Sequence, residues 1–145
     1  MDTLLPVLAL VATASLVGIF YRLLRGRGHR VIGRQLIDPR RLRATKNGIL
    51  STELGKKATL IQFSTQYCGQ CPGVRRQLAQ LEHRLGGLVH LEVDITDRLN
   101  VAARFGINQT PTVFLLNSKG ELVYRVGGIP NLTKLNQEIE KLGVK

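Results

Sequence analysis

Residues 3–21 form a run of nineteen consecutive uncharged positions, most of them Leu, Val, Ala or Ile. Such uniformity does not suit a helix with one wet face on a small domain. At about 1.5 Å per residue the run spans roughly 28 Å, close to the hydrocarbon thickness of a bilayer. Pro6 lies near its start, where a missing amide hydrogen matters least, and Tyr21 lies where an interfacial aromatic belongs. Leu23 and Leu24 extend it past Arg22, so one transmembrane helix is expected over residues 3–24. A cleaved signal peptide is the competing reading. Ala12-Thr13-Ala14 has the residue sizes of a cleavage site, but no Lys or Arg precedes the apolar stretch, which continues to Phe20. A retained anchor is therefore favoured.

The chain has 145 residues, room for one further domain of ordinary size. Its formal net charge of +11 would suggest a nucleic-acid partner if it were spread over that domain. It is not spread. Residues 22–57 carry eleven Lys and Arg against Asp38 and Glu53, a net of +9, whereas residues 58–145 carry a net of +3. Basic residues crowded beside an apolar run match the anionic face of a bilayer, so the expected partner is lipid and not nucleic acid. With no Lys or Arg before the run and five Arg soon after it, the domain is expected on the cytoplasmic side of a single-pass cell-membrane anchor. The extracytoplasmic side is the alternative.

Residues 25–55 read as a basic linker, because Gly26, Gly28, Gly33, Pro39, Asn47 and Gly48 interrupt every candidate helix, although 49–54 could make one turn. The domain is expected over 56–145. Residues 58–63 are a short apolar run with the look of a central strand. Val74, Leu78, Leu81 and Leu85 share one face of a helix within 69–85, which Gly86-Gly87 ends. Residues 88–93 read as a second strand and 99–105 as a short helix introduced by Thr96 or Asp97. Glu92, Asp94 and Asp97 read as a wet acidic stretch. Two strands, 112–116 and 121–126, flank a turn at 117–120, and a closing helix runs from about 132 to 142. That order describes an α/β sandwich with mixed strand directions.

Cys68 and Cys71, the chain's two cysteines, fall where the first of these strands gives way to the helix. On this reading Cys68 caps the helix and Cys71 lies in its first turn. Unpaired amide hydrogens and the positive helix end stabilise a thiolate there, making it nucleophilic near neutrality. Spacing of three lets the second sulfur resolve a mixed disulfide formed on the first. A zinc site would need two more ligands, and His29, His83 and His90 form no paired spacing, so no metal is expected. His83 reads as a solvated helix residue and His90 as a strand residue.

From about residue 58 to 142 the chain resembles the thioredoxin family. Tyr67-Cys68-Gly69-Gln70-Cys71 is similar to the family's Trp-Cys-Gly-Pro-Cys, with Tyr for Trp and Gln for Pro. Thr110-Pro111 falls where the family has its cis-proline, and Lys119-Gly120 and Val126-Gly127-Gly128 match its last hairpin and the glycine after it. The resemblance implies a thioredoxin-like fold, a central mixed sheet flanked by helices, behind the transmembrane helix. It implies Cys68 as attacking thiolate, Cys71 as buried resolving thiol and Pro111 packed against them. Thr110 would offer a backbone edge to an extended substrate, and Tyr67 and Gly128 would shape the surface around Cys68. Three departures bear on tuning. Gln62 stands where the family has a buried Asp that assists proton transfer, and His90 stands near the position of that Asp's Lys neighbour, so either water or His90 carries the proton or the domain turns over slowly. Gln70 after Gly69 alters the dipeptide that sets the reduction potential. Pro72 and Arg76, the latter where the family has a helix-kinking Pro, change the helix start and bend.

The expected function is thiol–disulfide exchange with protein substrates, without organic cofactor, with electrons passing to or from another thiol protein. A tethered thioredoxin-fold interaction module with little turnover is the alternative.

Overall fold

The computed structural model describes residues 4–24, 28–31, 33 and 35–144. Helix α1, Leu4–Leu24, carries an 18-residue window, Leu4–Tyr21, of mean hydropathy 2.2, none of which the rest of the chain covers. The sequence-derived helix and this one coincide.

The body is organised around one strand. Strands β1 (His29–Arg30), β2 (Thr45–Lys46), β3 (Ile49–Leu50), β4 (Ala58–Ser64), β5 (Leu88–Asp94), β6 (Thr112–Asn117) and β7 (Leu122–Gly127) form one sheet in the order β1-β7-β6-β4-β5-β2-β3. β4 is buried at all seven residues, as its unbroken apolar run requires. It pairs parallel with β5 and antiparallel with β6, and β6 pairs antiparallel with β7. Alternate side chains enter two cores. Ile61, Phe63, Leu91, Val93, Phe114 and Leu116 fill one with Val101 of α4 (Leu99–Arg104) and with Leu42 of α2 (Pro39–Leu42). Phe63 and Phe114 meet edge to face at 4.8 Å between ring centroids. On the other face Ala58, Leu60, Val113 and Leu115 pack beneath α3 (Cys71–Arg84) and α5 (Leu132–Glu140), which contribute Val74, Leu78, Leu81, Leu135 and Ile139.

The segment that composition assigns to a linker, residues 25–55, carries ordered structure wherever it is described. The described residues between 28 and 37 meet the outer edge of β7: His29 pairs with Arg125, the Val31 amide donates to the Val123 carbonyl, and Leu36 bridges to Glu121. The Arg30 guanidinium reaches Glu138 of α5 at 3.0 Å. Hydrogen bonds from Lys141 and Arg30 hold the Glu138 carboxyl below the usual carboxylate range. Gly28 rests on the Tyr124 ring, which leaves no room for a Cβ. The chain then crosses to the opposite edge of the sheet, burying Ile37, Leu42 and Ala44 on the way. There β2 pairs with β3 and with β5. The helical turn expected at 49–54 is instead β3 followed by loop. Its connection to β2 is Asn47-Gly48 with φ of +52° and +80°, the left-handed pair that a two-residue hairpin demands. Helix α4 starts after Arg98 without a side-chain cap, and not after Thr96 or Asp97.

Phe114→Ala removes a fully buried ring and is expected to lower stability by about 3–5 kcal/mol. Arg30→Ala, which breaks a largely solvated ion pair, is expected to cost less than about 1 kcal/mol. Urea unfolding followed by circular dichroism compares the two.

Candidate redox site

β4 ends at Ser64, and the chain turns over the end of the sheet before α3 begins. The Cys68 amide donates to the Thr65 carbonyl at 3.1 Å, closing that turn. Gln70 occupies the N-cap position without a side-chain cap bond, and Cys71 is the first residue of α3. Cys68 therefore lies just outside the helix and does not take the cap position expected from sequence. Its sulfur nonetheless accepts the Cys71 amide at 3.2 Å, the bond a capping side chain would make. Pro72, in the first turn, has no amide hydrogen to leave unpaired.

Cys68 and Cys71 are joined in a disulfide with Cα atoms 5.5 Å apart. Cys68 is partly exposed, Cys71 is 2% exposed, and Tyr67 beside them stands 84% exposed. Gly69 and Gln70, between the cysteines, are exposed. One cysteine is thus partly open to solvent and the other lies in the core.

The sheet register brings the remaining residues to this end. Thr112 pairs with both Phe63 and Gly127, so the loops before β6 and after β7 lie beside the loop after β4. The Thr110–Pro111 peptide is cis and Pro111 is buried. The Thr110 and Thr65 hydroxyls meet at 3.4 Å, tying the proline loop to the chain just before Tyr67. The Pro111 carbonyl accepts the Gly128 amide at 2.7 Å. Gly128 has φ +82°, and a Cβ on Gly127 would overlap the Gln109 amide, so the adjacent glycines let the two loops close together. Tyr67, Cys68, Thr110, Pro111 and Gly128 accordingly assemble at one end of the sheet.

Gln62 and His90 lie deeper. Both point to the α3 side, Gln62 fully buried and His90 5% exposed. The Gln62 amide nitrogen donates to the Cys71 carbonyl at 3.0 Å, holding the first turn of α3 to β4. Gln62 Oε1 and His90 Nε2 have no hydrogen-bond partner among the described residues. Burial pushes the His90 imidazole down to about 4, Arg75 and Lys46 push the same way, and Glu82 opposes them. At neutral pH His90 is uncharged.

The ion pairs around His90 are not evident from sequence. Lys46 of the hairpin reaches Glu82 at 2.7 Å, and Arg75 reaches Glu92 at 2.6 Å. Glu92 is consequently a strand residue with a partner and not part of a wet loop. Its alternation with the buried Leu91 and Val93 was the available signal.

The thioredoxin family model matches residues 44–141. Sheep (Ovis aries) thioredoxin is 33% identical over 88 residues, which cover 61% of this chain and 82% of that protein. The crystal structure of spinach chloroplast thioredoxin f (long form) superposes with a TM-score of 0.52 at 25% identity, covering 61% of this chain and 72% of that one. A chain in the crystal structure of a complex of ferredoxin:thioredoxin reductase with thioredoxin f2 superposes with a TM-score of 0.51 at 26% identity, covering 60% and 78% respectively.

The His90 environment makes stability depend on pH. Below about 6.5 the unfolded chain binds a proton that the folded chain refuses until about 4, so stability is full above 6.5 and falls as the pH drops through that window. The loss is expected to approach about 3 kcal/mol and to be largely absent in His90→Leu, as read from urea unfolding at successive pH values.

Proposed function

This chain belongs to the thioredoxin family, whose members are disulfide oxidoreductases, and from that premise we propose a protein disulfide oxidoreductase held to a membrane by α1. The observation that carries the reading is the asymmetry of the pair, with a partly exposed Cys68 outside α3 joined to a buried Cys71 at its first residue. In the reducing direction the Cys68 thiolate attacks a substrate disulfide, forming a mixed disulfide and releasing one substrate thiolate. Cys71 then gives up its proton and attacks the Cys68 sulfur. The substrate leaves with its second thiol, and the domain is left oxidised. An upstream thiol protein returns two electrons, a pairing for which the complex of ferredoxin:thioredoxin reductase with thioredoxin f2 is a parallel.

Tyr67, Thr110, Pro111 and Gly128 form the rim that receives the substrate segment, and Thr110 offers its backbone edge to an extended chain. Gly69 and Gln70 set the spacing and potential of the pair. Gln62 cannot take up a proton, and an imidazole held near 4 is too weak a base to help at neutral pH. Water therefore carries the Cys71 proton. The Arg residues that follow α1 support a cytoplasmic position for the domain. The thiol pools there are reducing, which makes reductase the working direction.

Cys68→Ser is expected to abolish disulfide reduction of insulin. Cys71→Ser is expected to retain attack and accumulate a mixed disulfide visible on a non-reducing gel. The reduced native pair should alkylate at Cys68 several-fold faster at neutral pH than free cysteine. An unactivated Cys68 without turnover would instead favour a binding module on the same fold, the reading to which Gln62 lends weight.

A further inference from the structure

The edge strand that follows α1 has a direction, and it determines which end of the sheet lies near the helix. His29 pairs with Arg125 and Arg30 with Tyr124, antiparallel, and the Val31 amide donates to the Val123 carbonyl. The chain thus arrives at Gly28 beside the last residues of β7 and runs away from them toward Glu121. Those last residues are at the redox end: Gly127 pairs with Thr112, and Gly128 bonds the Pro111 carbonyl. From Leu24, the end of α1, to Gly28 there are three intervening residues. Four Cα–Cα steps reach at most about 14 Å even when fully extended. Between β1 and β4 lie three strand spacings, about 14 Å, whereas the far end of six-residue strands is about 20 Å farther off along the sheet. The attachment is fastened by the Arg30–Glu138 ion pair and by the seat of Gly28 on Tyr124.

From this placement we infer that the redox end of the sheet is turned toward the bilayer surface, so that the partners of Cys68 are disulfides carried close to the membrane by integral or membrane-associated proteins. The inference rests on the reading of α1 as a membrane anchor. It adds what a long linker would not provide, a short tether between lipid and disulfide. A substrate cysteine pair far above the membrane would find the opposite end of the domain, the turn at Asn117–Gly120, and not the reactive sulfur.

The test uses the full chain in phosphatidylcholine vesicles that contain headgroup-labelled acceptor lipid. One donor fluorophore sits on Cys68 in the Cys71→Ser chain. In a second chain it sits on Ser118→Cys, with both native cysteines changed to Ser. Energy transfer is expected to be greater from position 68 than from position 118, in protein that floats with the vesicles. A long Gly-Ser insertion after Gly26 should remove that difference. Equal or reversed transfer in floating protein overturns the orientation while leaving the anchor standing. Failure to float removes the anchor itself and the inference with it. A peptide disulfide held on lipid by a short spacer should also be reduced as readily as one on a long spacer, and a requirement for the long spacer counts against the inference.

Discussion

The burial of β4 on both faces is the constraint from which the site follows. A strand with no wet face needs partners on both edges and a layer on each side, and here β5 and β6 supply the first while α3, α5, α4 and α2 supply the second. The chain leaves such a strand only at its end, so Cys68 and Cys71 come to lie over the rim of the sheet. The antiparallel register of β6 sets Thr112 opposite Phe63, and β7 sets Gly127 opposite Thr112. Three loops far apart in sequence therefore converge around a disulfide whose outer cysteine is partly exposed, an arrangement open to a protein partner.

Behind the cysteines this disulfide oxidoreductase keeps polar groups that stay neutral. Gln62 spends its amide on the Cys71 carbonyl, and burial keeps His90 uncharged. Formal charge is displaced outward into the Arg75–Glu92 and Lys46–Glu82 pairs. The interior face of the pair thus senses orientation and dipoles, and the charged ring above it senses solvent and salt. Lys46 joins that ring only because the β2–β3 hairpin lies against β5.

Much of this was legible in residue order. The apolar run of β4, the three-and-four spacing of Val74, Leu78 and Leu81, and the turn at 117–120 each specify local structure through burial or backbone geometry that neighbours in sequence can supply. The cysteines announced themselves by falling at the junction of two such patterns. What could not be read was pairing without a periodic signature. Gly28, His29 and Arg30 stand where an alternating strand would carry Val or Ile, and His29–Arg30 become a strand only because β7 offers its edge. The hairpin at Asn47-Gly48 was different: its Asn-Gly turn was visible, but the flanking residues were too few to outweigh a basic composition. The orphaned Gln62 and His90 atoms depend on contacts across the sheet that no single segment contains.

One edge of the sheet and part of one core owe their finish to residues that precede the thioredoxin match. That match begins at residue 44, yet β1 covers β7 from outside it, and Ile37 and Leu42 are core residues from outside it as well. A fragment cut to the family boundary would keep every cysteine, proline and glycine of the redox rim. It would also uncover the outer edge of β7, a six-residue row of amide and carbonyl groups beside newly bared apolar surface. Unsheltered edges of that kind recruit other strands. The segment that resembles a linker by composition therefore shelters an edge of the sheet, and its removal would leave that edge open to pairing.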